Sequence, residues 1–281
     1  MSPLVSFIVP AYNHERFVTQ CLNSIRDDPY PNKELVIIDD GSTDNTSRII
    51  SGWITKEGGS LNIKFSSREN KGVSATLNEL VSISKGKYII PIASDDFLLN
   101  DTTKIRINYL EKNVTKFAVF GDCIVVNDSG ATINESGLTQ PNRVSLDNYK
   151  SDDSLAYEII MKWSIPGPVL MIDRKLFNII GLYDETIAVE DWDFYLRMIS
   201  INALGFIDEK VAAYRIHGSN ACRDQRRLTI NHKASLISIF RNIKRFNGKN
   251  RIFAIYRSLF FTALVIKSVF KKPLITKQYS F

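Results

Sequence analysis

Lys87-Tyr88-Ile89-Ile90-Pro91-Ile92-Ala93-Ser94-Asp95-Asp96 (KYIIPIASDD, residues 87–96) is the stretch whose reading decides the fold. Tyr88 to Ala93 reads as a buried strand, and Ser94, Asp95 and Asp96 are delivered at its end. Two adjacent carboxylates repel unless something positive sits between them. In an open α/β sheet the carboxyl ends of the strands form the ligand crevice. Carboxylate oxygens suit Mg²⁺ and Mn²⁺, usually alongside substrate phosphates. The pair therefore points to a divalent cation and a diphosphate, whereas in isolation it reads as a turn, or as a cap for the helix after Asp101.

The residues upstream favour the first reading. Leu4 to Pro10 (LVSFIVP) is a β-branched and aromatic run ended by proline, which predicts a central strand. Asn13 is positioned to cap a helix carrying Phe17, Val18, Cys21, Leu22 and Ile25 on one stripe. Glu34 to Ile38 predicts a second strand, emptying into Asp39-Asp40-Gly41-Ser42-Thr43-Asp44 and a helix with Ile49, Ile50, Trp53 and Ile54 inward. Leu61 to Phe65 is a third strand, and Asn70-Lys71-Gly72 leads into a helix with Val73, Leu77, Leu80 and Val81 inward, closed by Lys85-Gly86. Alternating strands and helices with short connections predict βαβ units, a parallel sheet and an α/β fold. The chain contains neither GxGxxG nor a Walker lysine loop, which argues against dinucleotide dehydrogenases and P-loop NTPases. Its polar residues gather instead at three strand ends, Pro10 to Asn13, Asp39 to Ser42, and Ser94 to Asp96.

With 281 residues, 44% of them hydrophobic, the chain can bury one large α/β core and carry an appendage. Cys21, Cys123 and Cys222 show neither CxxC spacing nor an even framework, which argues for a reducing compartment and against zinc. The approach to Val5 lacks a basic segment followed by an apolar one, so no signal peptide is expected and the cytoplasm is the predicted location. The net charge of +6 hides an asymmetry: from Arg223 onward there are 14 Lys or Arg against Asp224 alone, leaving residues 1–222 at −7 and the remainder at +13.

Five segments in order, VSFIVPAYNHERFVTQCLNSI, ELVIIDDGSTDNT, NKGVSATLNELVSISKGKYIIPIASDD, VEDWDFYLR and YRIHGSN, resemble the inverting glycosyltransferases of family 2 over roughly residues 3–222. The resemblance implies a GT-A fold, which is Rossmann-like and binds nucleotide-diphospho-sugars, and a reaction that moves a sugar from a UDP-sugar to a glycan acceptor. Pro10, Ala11, Tyr12 and Asn13 would belong to the nucleotide-sugar site, with Ala11 and Tyr12 lining the base pocket. Asp40 would accept a hydrogen bond from the base imide, Lys71 would help with base or phosphates, and Asp95 would meet the ribose. Asp96 would bind Mn²⁺ or Mg²⁺, with His217 as a further metal or diphosphate contact. Asp191 would be the base, beside Glu190 and Trp192 on the acceptor side. A helix beginning at Glu190-Asp191 favours ionised carboxylates and buries Trp192, Tyr195, Leu196 and Ile199 as its stripe.

Two departures from the family pattern stand out. Ala93 occupies a position, two before Asp95, that is often acidic, so the cation would lean on Asp96, the phosphates and His217 and bind weakly without donor. Ala75-Thr76-Leu77-Asn78 lacks the arginine that many members carry before the asparagine.

Residues 1–222 are thus expected to form the catalytic domain and residues 223–281 a basic helical extension, with helices near 224–245 and 251–270. Arg257 and Lys267 interrupt the second, which is too short in apolar length to span a bilayer. It reads either as an interfacial helix drawn to anionic lipid or as a helix packed on the catalytic domain. No nucleic-acid motif accompanies the charge. The membrane reading makes a lipid-linked acceptor plausible, as in bacterial O-antigen, lipopolysaccharide or capsule assembly. Two alternatives stay open: a donor-binding scaffold without catalysis, and a nucleotidyltransferase, which the missing glycine-rich basic N-terminal loop disfavours.

Overall fold

The computed structural model describes residues 2–59, 61–140, 144–218 and 228–270. β1 (Val5–Ala11) is buried on both sides, with Val5, Phe7 and Val9 in one core and Ile8 in the other, as a central strand of a covered sheet requires. α1 (Val18–Asp27), β2 (Lys33–Asp39), α2 (Thr46–Glu57), β3 (Asn62–Ser67), α3 (Val73–Ile83) and β4 (Tyr88–Pro91) follow in alternation. β1 pairs in parallel with β2 and β4, and β2 with β3, as expected of βαβ units. The register Ala11↔Asp39↔Ser67 brings the three strand ends level, so the loops after them form one ledge.

The second half comprises β5 (Phe97–Leu98), α4 (Thr102–Lys112), β6 (Ala118–Val126), β7 (Thr132–Asn134), α5 (Asp152–Met161), β8 (Leu170–Asp173), α6 (Lys175–Ile180), α7 (Glu190–Ser200), β9 (Leu204–Arg215), α8 (Leu228–Asn242) and α9 (Gly248–Phe270). Among the described residues the strands form one sheet in the order β3-β2-β1-β4-β8-β6-β9-β5, with β7 on β6. Since β8 runs antiparallel to both β4 and β6, and β9 parallel to β6, the carboxyl end of β9 lies at the same edge as those of β1 to β4. β5 pairs antiparallel with the end of β9, Phe97 against Ala213, which carries Asp95 and Asp96 beside Arg215 and His217.

Helices α1, α2 and α4 cover one face through Leu22, Trp53 and Ile107, and α3, α5, α6 and α7 the other through Leu80, Ile159, Leu176 and Phe194. α8 and α9 pack on each other and on α7 and α5, adding Ile239, Ala254 and Phe261 to the second core. Of the two readings of the tail, packing on the domain accounts for one side of α9; the opposite side exposes Ile252, Ile255, Tyr256, Leu259, Phe260 and Ile266 at helical spacing. Residues 223–227 and 271–281 of the expected extension lie outside the described residues.

One local expectation differs. α1 begins at Val18, and Asn13 does not cap it. Asn13 adopts φ 54°, a left-handed conformation that asparagine tolerates, and its side-chain oxygen accepts the Thr43 amide at 2.8 Å. The residue joins two strand-end loops instead of starting a helix.

Candidate active site

The ledge is stitched from short polar side chains. Ser42 Oγ accepts the Asn13 amide at 2.9 Å, Thr46 Oγ1 the His14 amide at 2.8 Å, and Asp44 the Glu15 amide at 3.0 Å. Buried Asp39 accepts the hydroxyls of Ser42 and Ser67, locking the turn after β2. Gly41 sits in that turn at φ +76°, against the backbone of Asn70.

Asp40 reaches toward the start of α3. Its carboxylate accepts the Lys71 amide at 2.8 Å and the Gly72 amide at 3.0 Å, and pairs with the Arg68 guanidinium. Arg68 also donates to Glu79 at 2.9 Å and to Thr76 Oγ1 at 3.0 Å. The arginine missing from the Ala75–Asn78 segment is thus matched by a guanidinium that arrives from the end of β3. Of the expected base-pocket residues, Tyr12 is 45% exposed whereas Ala11 is fully buried and Pro10 lies within β1. The Lys71 ammonium is exposed, 4.0 Å from Glu79.

Asp95 and Asp96 take different partners. Asp96 is 2% exposed and its Oδ1 accepts the Arg215 amide at 2.8 Å, while the Arg215 guanidinium donates to the Asp95 carbonyl at 2.8 Å and the Asn127 carbonyl at 2.9 Å. Burial and the neighbouring Asp95 charge push the Asp96 carboxyl well above the usual carboxylate range. Asp95 Oδ2 lies 2.9 Å from His217 Nε2 and 3.6 Å from His14 Nε2. Burial works to raise its pKa, but the His217 hydrogen bond and the His14 charge outweigh it and hold Asp95 below its ordinary value. Burial lowers the His14 pKa, partly offset by Asp95. His14 Nδ1 is 2.8 Å from Ser94 Oγ. One ligand atom from each of His14, Asp95 and His217 falls within 4.8 Å of the others. A carboxylate oxygen and two imidazole nitrogens converging on one point suit a divalent cation. The structure therefore gathers Asp95 with His14 and His217, while Asp96, the expected cation ligand, gives one carboxylate oxygen to the β9 backbone.

Glu190 and Asp191 open α7, which returns along β9 after the three-residue connection 201–203 and so begins at the ledge edge of the sheet. Both are partly buried. Asp191 Oδ1 accepts the Trp192 amide at 2.7 Å. Burial, then the Asp191 charge, pushes Glu190 up to about 8, and burial raises Asp191. Asn78 of α3 ties this region to the sheet, bonding the Tyr183 amide at 2.9 Å and the Tyr183 carbonyl at 3.0 Å. Trp192, expected on the acceptor side, is 2% exposed; its indole donates to the Ile159 carbonyl at 2.8 Å and its ring meets Phe261 of α9 at 5.5 Å. It is a core residue that seats α7.

His14, Ser94, Arg68 and Arg215 are site residues to which the sequence reading gave no role. His14, Ser94 and Arg215 lie within segments quoted above and Arg68 just ahead of one, so polarity at a strand end is the available signal.

A family model described as glycosyl transferase family 2 matches residues 6–159. The chain is 26% identical over 219 residues to the chondroitin synthase of Escherichia coli, covering 78% of this chain and 30% of that protein. It spans less than two thirds of the length of that and the other curated relatives it matches. Among solved structures, residues 1–349 of Staphylococcus aureus TarS in complex with UDP-GlcNAc superpose with a TM-score of 0.69 at 19% identity, over 92% of this chain and 71% of that one. The mannosyltransferase PcManGT of Pyrobaculum calidifontis, in complex with GDP-Man and Mn²⁺, gives 0.63 at 16% identity over 98% and 77%. The GT-A fold expected from the sequence is borne out.

Proposed function

The chain belongs to glycosyl transferase family 2, and from that we propose that it is an inverting glycosyltransferase moving a sugar from a UDP-sugar to a glycan acceptor. The observation that carries the reading is the convergence of His14, Asp95 and His217 at the carboxyl edge of the sheet, beside the ledge built by Asp40 and Arg68. The UDP-GlcNAc bound by TarS supports a uridine donor.

In this reading the exposed Tyr12 ring stacks on the base. Asp40 Oδ2, which holds the Gly72 amide, retains capacity for an imide N–H. Asn13 fixes the loop that bears Tyr12, and Lys71 offers its ammonium to base or phosphate. Asp95 and His217 hold Mn²⁺ or Mg²⁺, which when bound supplies positive charge against the departing diphosphate. Asp96 fixes the β9 end through the Arg215 amide, and so positions His217 two residues on.

Asp191 takes the proton from the acceptor hydroxyl as that oxygen attacks the anomeric carbon. The bond from that carbon to the diphosphate oxygen breaks on the opposite face, releasing UDP and inverting the configuration. A carboxylate with a raised pKa is the stronger base, and Glu190 beside it holds its own proton near neutrality.

The exposed apolar stripe of α9, among basic residues such as Arg251 and Lys267, supports peripheral attachment to the inner face of a membrane and a lipid-linked acceptor. No helix of the described residues is long and apolar enough to cross a membrane. Surface-polysaccharide assembly, such as O-antigen or capsule, fits these features.

The test is a thermal-shift screen of UDP, GDP, CMP and UDP-sugars with and without Mn²⁺, followed by turnover. A ligand of the folded state raises the melting temperature by mass action. A Mn²⁺-dependent shift with uridine nucleotides is expected. Asp191→Asn should keep the shift and lose roughly 10²–10⁴-fold in turnover. Binding without turnover by the native chain would favour the scaffold reading, and no shift with any nucleotide, with or without acceptor, would overturn both.

A further inference from the structure

His14 is held from three directions. Its amide is fixed by Thr46 from the β2 ledge, its Nδ1 meets Ser94 Oγ at the end of β4, and its ring stands edge-on to His217 at 5.6 Å beyond β9. Phe17 closes the back of both rings, 6.3 Å from His14 and 4.8 Å from His217. Ser94 is fully buried, so the Nδ1 contact is made away from bulk water. An imidazole whose Nδ1–H is donated to a fixed oxygen presents the Nε2 lone pair outward, the arrangement that orients metal-ligating histidines. Here Nε2 is the atom turned to Asp95 Oδ2, 3.6 Å away, while His217 Nε2 approaches the same oxygen at 2.9 Å. Ala93, two residues before Asp95, brings no carboxylate to the cluster.

We infer that His14 is the third protein ligand of the divalent cation, completing a site of two histidines and one carboxylate that favours Mn²⁺, Co²⁺ or Zn²⁺ over Mg²⁺ and binds cation before the donor arrives. The inference rests on the proposed cation role of Asp95 and His217. Its chemistry follows from donor type. Mg²⁺ demands oxygen ligands and sheds water reluctantly, whereas imidazole raises affinity for later first-row metals. Replacing a carboxylate by an imidazole in the first shell therefore trades charge for selectivity. Three protein ligands also give a cation a hold that one carboxylate and one histidine do not.

The test is equilibrium binding of Mn²⁺ and Mg²⁺ to the nucleotide-free full chain and to His14→Gln, His217→Gln and Asp95→Asn, with pulsed electron paramagnetic resonance on bound Mn²⁺. Wild type should bind Mn²⁺ at least about tenfold more tightly than Mg²⁺ and show coupling to two imidazole nitrogens. His14→Gln should lose at least about tenfold in Mn²⁺ affinity, since even outer-shell changes cost that much. Its Mn²⁺ to Mg²⁺ ratio should fall, and one nitrogen coupling should disappear. If His14→Gln binds as wild type while the other two variants fail, the His14 inference is overturned and the Asp95–His217 reading stands. If all three bind as wild type, or wild type binds neither cation even with UDP present, both fall. Wild-type Mn²⁺ coupled to a single imidazole overturns the inference without recourse to any variant.

Discussion

Glu190→Gln offers a sharp test of the carboxylate pair, because glutamine imitates the protonated acid at every pH. In the folded protein Glu190 is pushed up to about 8 by burial and by Asp191, against 4.5 for the free side chain. Below pH 4.5 the group is protonated whether the chain is folded or not. Between 4.5 and 8 the unfolded chain loses the proton while the folded one keeps it, so stability falls as pH rises and levels off above 8. At about 1.4 kcal/mol per pH unit over that window, wild type sheds roughly 3–5 kcal/mol that the glutamine variant retains. Titrating groups other than its neighbour Asp191 are common to both proteins and cancel in the difference. Urea unfolding at pH 5, 7 and 9 is the assay. The variant should gain on wild type by roughly 3–5 kcal/mol from pH 5 to 9, which appears as a midpoint difference growing by more than about 1 M at typical urea slopes. A stability difference constant to about 1 kcal/mol across that range would refute a protonated Glu190.

Gly41→Ala should destabilise by roughly 2–4 kcal/mol and lower the melting temperature by about 5–10 °C, because the residue needs a positive φ and its Cβ would meet the backbone around Asn70. A Cβ at Gly41 would lie 2.7 Å from the Asn70 nitrogen, so a melting point near wild type would mean that the interlocked turns give way freely. The double change Leu259→Glu with Phe260→Glu, on the exposed side of α9, should sharply reduce cosedimentation with anionic vesicles while leaving the Mn²⁺-dependent UDP shift intact. Unaltered vesicle binding would assign the attachment to another surface.

The parallel half of the sheet was legible because its strands are apolar on both faces and its helices carry stripes at their own period. The strand ends were legible as polar clusters, although which side chain faces the crevice was not. Asp95 and Asp96 are neighbours with different partners, His217 for one and the Arg215 amide for the other, and both partners are brought up by the pairing of Phe97 with Ala213, which no local pattern announces. The same long-range closure brings His14 to His217 across 202 intervening residues. Arg68 carries no local signal, because its partner Asp40 lies 28 residues earlier in the chain. Trp192 fits both a helix stripe and an acceptor contact by its place in the sequence, and its burial follows the stripe.

The contact between Trp192 and Phe261 bears on how the chain can be divided. Trp192 directly follows the proposed base in α7, and α9 supplies the ring that covers it. A protein cut short ahead of α9 would leave that indole facing water on the helix that aims Asp191. If α7 carries the base and α9 the foothold, as proposed, the two are one mechanical piece: the height at which the base would work above a surface is then set by side-chain packing, and not by the slack of a tether.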